Sequence, residues 1–125
     1  MALGSRVQRH ELRRIGRIEA HARDRERALA GLDELVLRAP AYAEAYNQRA
    51  IAHFMADRLA ESAADCRRVL DLNPYHFGAL GGLGQCQIGL HQRAEAIRTY
   101  RRALELQPYN DGLRAAVAEL EAAED

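Results

Sequence analysis

The feature that most constrains this chain is a spacing. Prolines stand at positions 40, 74 and 108 and nowhere else, so the two intervals are equal at 34 residues. Proline has no amide hydrogen to donate and disfavours helix at the residue before it, so each one ends a helix. Aligning the chain on the prolines brings other columns into register: Leu12, Tyr46 and Leu80; Ile15, Arg49 and Leu83; Gly16, Ala50 and Gly84; Ala28, Ser62 and Ala96; Leu32, Cys66 and Tyr100; Leu35, Val69 and Ala103. A fixed period with large and small residues in fixed columns is the mark of a repeated supersecondary unit. A unit this short cannot bury its apolar face alone, so neighbours must stack to complete a core.

Apolar periodicity divides each unit into two helices. The spacing predicts helices over His10–Ala22 and Glu26–Ala39, with a turn at Arg23-Asp24. It predicts a second pair over Ala43–Ala56 and Leu59–Leu72, and a third over Phe77–Leu90 and Arg93–Leu106. Asn110 is placed to cap a last helix from Asp111 to about Ala123, with Leu113, Val117 and Leu120 on one face. Such a helix covers the open end of a stack with a polar back.

A 34-residue helix–turn–helix period with these columns resembles the tetratricopeptide repeat. The resemblance runs from Arg9 to Pro108, and the segments AEAYNQRA, HFGALGGLG and RRALELQP are similar to those of bacterial repeat proteins. It implies an all-α, right-handed α-solenoid of seven helices. The expected units are an N-terminal extension 1–8, repeats 9–42, 43–76 and 77–110, and a capping helix 111–125. The sequence also departs from the family. The glycine usual between the two helices of a repeat is replaced by Arg23, Asp57 and His91, and the family's tyrosine column reads Glu19, His53 and Gln87. Arg49 occupies a leucine column. Buried ionisable groups are normally paired, so Glu19, Arg49 and His53 are expected to form a satisfied polar cluster.

In this family the first helices of successive units line a concave groove. The resemblance places His10, Arg13, Arg17, Ala20 and His21 there from the first unit. Glu44, Asn47, Ile51, Phe54 and Met55 follow from the second, with Gln48 beside them. The third contributes Gly78, Gly81, Gln85, Ile88 and Gly89. The groove would be basic at one end, apolar and amide-bearing in the middle, and nearly bare backbone at the other. It suits an extended or helical peptide with acidic and apolar residues, with Phe54 and Met55 as anchors. Gly78, Gly81, Gly82, Gly84 and Gly89 fall in one helix at an intrinsic cost of about 4–5 kcal/mol relative to alanine. Gly84 is explained by close helix packing. Gly78, Gly81 and Gly89 are expected to admit a partner's backbone, with neutral drift as the alternative. Some family members capture a chaperone's terminal carboxylate with a Lys/Asn clamp. The matching residues here, Arg13, Arg17, Gln48, Gly78 and Gly82, supply the expected charge only at Arg13, so that activity is not carried over.

Composition excludes other classes. Eighteen basic and eighteen acidic residues give no net charge, hence no overall pull toward nucleic acid or anionic membrane. The charge is nonetheless graded. Residues 1–39 carry nine Arg against six acids, residues 40–74 four against five, and residues 75–125 five against seven. Head-to-tail self-assembly of basic first-unit and acidic last-helix surfaces is therefore the alternative function. Cys66 and Cys86 form no CxxC pair and sit in apolar columns, where a small buried thiol is the ordinary reading. No nucleotide-binding loop, HExxH or catalytic triad is present. The arginines of the first helix lack interleaved aromatics to stack bases. The chain is read as a non-enzymatic module without cofactor or metal, binding a protein or peptide partner. MALGSRVQRH lacks the apolar run of a signal peptide. A cytoplasmic location is therefore expected, with export behind a removed signal as the alternative.

Overall fold

A computed structural model describes residues 21–123, and all regular structure within them is helical. Helix α1 occupies residues 21–38. It is followed by α2 (Ala43–Met55), α3 (Leu59–Leu72), α4 (Phe77–Gly89), α5 (Arg93–Leu106) and α6 (Asp111–Ala122). From α2 onward these ends fall within a residue or so of those the periodicity predicts.

The two kinds of turn repeat as faithfully as the helices. Tyr42, His76 and Asn110 each donate their backbone N–H to the carbonyl three residues back, at Ala39, Asn73 and Gln107 (3.0, 3.1 and 3.1 Å). Each of these four-residue turns carries its proline second, where a fixed φ near −65° suits it. Within each hairpin the first helix ends differently. Arg58 donates back to the carbonyl of His53 (2.8 Å) and Asp57 to Phe54 (3.0 Å), while Gln92 donates to Gln87 (2.8 Å) and His91 to Ile88 (3.1 Å). These are Schellman ends, which require a left-handed residue just past the helix. Asp57 and His91 take that conformation, with φ of 60° and 61°.

The expected turn at Arg23-Asp24 is absent, because both residues lie inside α1. The described residues therefore hold six helices rather than the expected seven. The left-handed conformation costs an ordinary residue about 1–2 kcal/mol, and Asp, Asn and His tolerate it better than Arg. Neither glycine nor proline lies between Arg17 and Ala30, so nothing stops the helix at Arg23.

The helices stack as antiparallel pairs. α2 lies along α3 and α4 along α5; α3 packs on α4, α5 on α6, and α2 touches α4, whereas α3 and α5 do not approach each other. The first helices thus sit close and the second helices splay, which curves the stack. Its core runs through Tyr46, Ala50, Cys66, Val69, Leu80, Leu83, Cys86 and Ala103, joined by Val36 of α1. In α1, Leu29 and Val36 are buried, but Ala28 and Leu35, whose columns are buried in later units, are exposed. At the far end Asn110 Oδ1 caps α6 by accepting from Leu113 N–H (3.0 Å), as its position predicts. Arg93 reaches from α5 to the carbonyls of Leu120 and Ala123 (2.9 and 2.8 Å), tying down the end of that helix.

Candidate functional site

The faces of α2 and α4 turned away from the core carry the described residues expected to meet a partner. On α2 the stripe is Asn47, Ile51, Phe54 and Met55, spaced to share one helical face. Ile51, Phe54 and Met55 are 46%, 39% and 67% exposed, so three large apolar side chains in succession meet solvent. Gln48 is exposed beside them and donates to Glu44 Oε1 (2.8 Å). That bond, aided by Asn47, holds the Glu44 carboxyl below the usual carboxylate range. On α4 the corresponding stripe is Gly78, Gly81, Gln85 and Ile88. Gln85 is exposed and Ile88 is 41% exposed. A β-carbon at Gly81 would meet nothing within 4 Å, so the backbone there is open to an approaching group. His76 Nδ1 caps the start of α4 by accepting from Ala79 N–H (2.9 Å), and its ring lies against Gly78.

At the other end of α2, His21 and Met55 are brought together. With Asp24, Arg25 and Ala28 they line a hollow of about 490 Å³ between α1 and α2. Arg25 crosses to the Met55 carbonyl (3.2 Å), and Arg58 pairs with Glu26 (3.0 Å). His10, Arg13, Arg17 and Ala20 lie outside the described residues. Gly89 is exposed, although a β-carbon there would fall 2.4 Å from Leu59 Cδ1 of α3.

The polar cluster is real but differently composed. Arg49 Nε and Nη2 donate to the two carboxylate oxygens of Asp65, both at 2.8 Å, and Nη1 donates to Asp33 (3.1 Å). His53 Nε2 stands 3.8 Å from Asp65 Oδ2. Asp65, only 7% exposed in its side chain, supplies the anion, and Asp33 ties α1 to the pair; Glu19 lies outside the described residues. The paired carboxylates raise the already high pKa of Arg49, Asp65 foremost. The next hairpin places Leu83, Gln87 and Thr99 in the same three columns, where Thr99 Oγ1 donates to Gln87 Oε1 (2.7 Å). A polar residue on the first helix thus faces one twelve positions later, and that offset is the signal that identifies Asp65. The cluster joins three helices. Among the described residues no group of three or more His, Cys, Asp or Glu could hold a metal ion.

Antiparallel hairpins stacked at a 34-residue period, with proline turns between units and Schellman ends within them, define an α-solenoid repeat protein. The chain belongs to the tetratricopeptide repeat family, whose sequence model matches residues 53–120, just over half of its length. It is 43% identical over 56 residues to a tetratricopeptide-repeat-containing protein of Rhizobium etli, covering 45% of this chain and 28% of that one. It is 30% identical over 98 residues to the Hsp70-Hsp90 organizing protein of Triticum aestivum, covering 78% of this chain and 17% of that one. The chain thus spans less than a third of the length of either relative. Among solved structures it is similar to the first repeat domain of Spaghetti (RPAP3) bound to the HSP90 peptide SRMEEVD, at a TM-score of 0.73, 23% identity and 78% coverage of both chains. It is similar at the same TM-score to MamA, at 22% identity, covering 77% of this chain and 52% of that one. At these identities the structural likeness is one of fold.

Proposed function

We propose that this protein is a non-enzymatic interaction module that binds a peptide or partner helix across the concave face formed by α2 and α4. The observation that carries the reading is the exposed succession Ile51, Phe54 and Met55 beside a helix whose backbone is open at Gly81. Large apolar side chains in a row at a surface are costly to leave in water, and a few such anchors supply most of an interface's binding energy. Gly81 lets a partner's backbone come closer than any side chain would permit. His21, and the charge expected of His10, Arg13 and Arg17 from the sequence, favour an acidic residue in the ligand, with Asn47, Gln48, Gln85 and Ile88 as polar and apolar contacts and Gly78, beside the His76 ring, as a further contact. Two structural relatives are described in complex with acidic chaperone peptides, SRMEEVD and SGPTIEEVD, which supports peptide recognition as the use of this fold. The proposal does not extend to those peptides. Gln48, Gly78 and Gly82 bring no cation, and Gly82 leans on Cys66 Sγ, to which its β-carbon would lie 3.2 Å away.

The test is affinity capture from the source cell with wild type, a Phe54→Ala/Met55→Ala variant and Gly81→Leu, each checked for unchanged helical circular dichroism. Partners retained by wild type and lost by both variants support the reading; equal recovery by all three overturns it. The charge gradient along the chain favours a second reading, head-to-tail association of copies. A salt-sensitive dimer in sedimentation without any ligand would support that reading, and a monomer at low salt would remove it. No helix among the described residues is long and apolar enough to cross a membrane.

A further inference from the structure

The curvature that brings α2 to α4 parts α3 from α5 on the opposite face, and the parting leaves a cleft of about 450 Å³. Its floor is Leu70, Leu83 and the Gln87–Thr99 pair, all buried. Gln87 is 4% exposed and accepts from Thr99 through Oε1; its Nε2 makes no hydrogen bond among the described residues. Its Nε2 is open to the cleft rather than sealed, so it can donate to an acceptor that enters there. Above it the walls carry Arg67, Arg98 and Arg102. Arg67 and Arg102 form no ion pair among the described residues, and Arg98 holds only a long exposed contact to Glu95 (3.6 Å).

The 34-residue register gives the heights of these groups. Arg98 and Arg102 match positions 64 and 68 of α3, so with Arg67 the three backbone positions fall within four residues, about 6 Å along the helix axis. Glu95 matches position 61 and Asp71 stands above, so the two acidic residues lie towards opposite ends of the cleft, their backbones about 15 Å apart in height. A polyanionic strand running through would meet a like charge at both ends. A single compact anion at mid-height would meet Arg67, Arg102 and Gln87 Nε2, with Glu95 drawn aside by Arg98. Three guanidinium groups and an amide offer more donors than the two oxygens of a carboxylate can use. A phosphate monoester brings three terminal oxygens and a charge of about −1.5 to −2, and the planar fork of arginine suits it.

We propose that this outer cleft is a second binding site, which takes a phosphate monoester carried on a side chain of a partner peptide. It shares no residue with the concave face and does not rest on the function proposed for that face. Gln87 Nε2 donates from the floor while Arg67 and Arg102 close over the phosphate from either wall.

The experiment is an NMR titration of the full ¹⁵N-labelled chain with N-acetyl-phosphoserine amide, reading the Gln87 side-chain amide and the arginine Nε signals. Saturable shifts of Gln87 are expected, with at least tenfold weaker response to N-acetyl-serine amide and N-acetyl-glutamate amide. An Arg67→Glu/Arg102→Glu variant, altered only at exposed positions, should lose the response with helicity intact, and Arg67→Gln alone should weaken it. A Gln87 signal that does not move, equal affinity for the glutamate compound, or binding that survives the charge reversal would each overturn the proposal.

Discussion

Gly84 and Tyr100 are fitted to each other across the last hairpin: a β-carbon on Gly84 would fall 2.3 Å from Tyr100 Cε1 and 2.6 Å from Cδ1. Tyr100 is 6% exposed, and its burial pushes the phenol pKa upward. The ring fills the space that the missing side chain leaves. In the preceding hairpin the same two columns hold Ala50 and Cys66, a larger residue facing a smaller one.

Gly84→Ala should therefore destabilise the protein by about 1–3 kcal/mol despite the better helix propensity of alanine, because the ring cannot withdraw from a close-packed core. The cost should be smaller in a Tyr100→Cys background, which copies the preceding hairpin. Urea unfolding of the four proteins of this cycle gives the coupling. Equal costs in both backgrounds would show that the two residues do not constrain each other.

Breaking the Arg49–Asp65 pair from one side should be expensive. Asp65→Ala leaves a guanidinium that is only 21% exposed with Asp33 alone, and a loss of about 2–4 kcal/mol is expected, below the full penalty of a sealed pair. The triple change Arg49→Leu/His53→Gln/Asp65→Thr copies Leu83, Gln87 and Thr99 of the next hairpin. It should recover most of that loss, since the charges leave together. Thermal unfolding of the single and triple variants decides the point.

Asp57→Gly and His91→Gly should each raise stability by about 1 kcal/mol, or about 4 °C in Tm, by relieving a left-handed backbone that glycine adopts freely. The same substitution at Arg23, inside α1, should lower stability by a comparable amount. A gain at Arg23 would mean that a turn forms there after all.

Cys66 should be chemically silent. Burial, reinforced by neighbouring Cys86, pushes its pKa up to about 12 from an ordinary value near 9. The thiolate is the reactive form, so the folded protein should resist iodoacetamide at pH 8 and react at a rate set by unfolding. The folded state holds the proton more tightly than the unfolded state. The thiol's contribution to stability is thus complete below about pH 9 and is lost as pH rises toward 12. Cys66→Ala should flatten that part of the stability profile, read as midpoints of urea unfolding against pH.

The amino-acid sequence by itself determined the helical class, the 34-residue unit, the ends of α2 to α6 and the family, because these follow from local causes. Proline positions, apolar period and Asn110 as a cap act over a few residues and repeat. It also marked Ile51, Phe54 and Gly81 as surface, since the face opposite a periodic apolar stripe must point outward. It overlooked Asp65, and the approach of Leu59 to Gly89, for a common reason. Which polar group meets Arg49, and which side chain fills the space beside a glycine, depend on residues in another helix at a distance set by packing. The Arg23 turn failed because the column was assumed to act like its equivalents, whereas αL geometry is settled by the residue that must adopt it. Only the tertiary structure showed that drawing the first helices together opens the second helices. The outer cleft, with Gln87 on its floor, is a product of curvature, which no single repeat encodes.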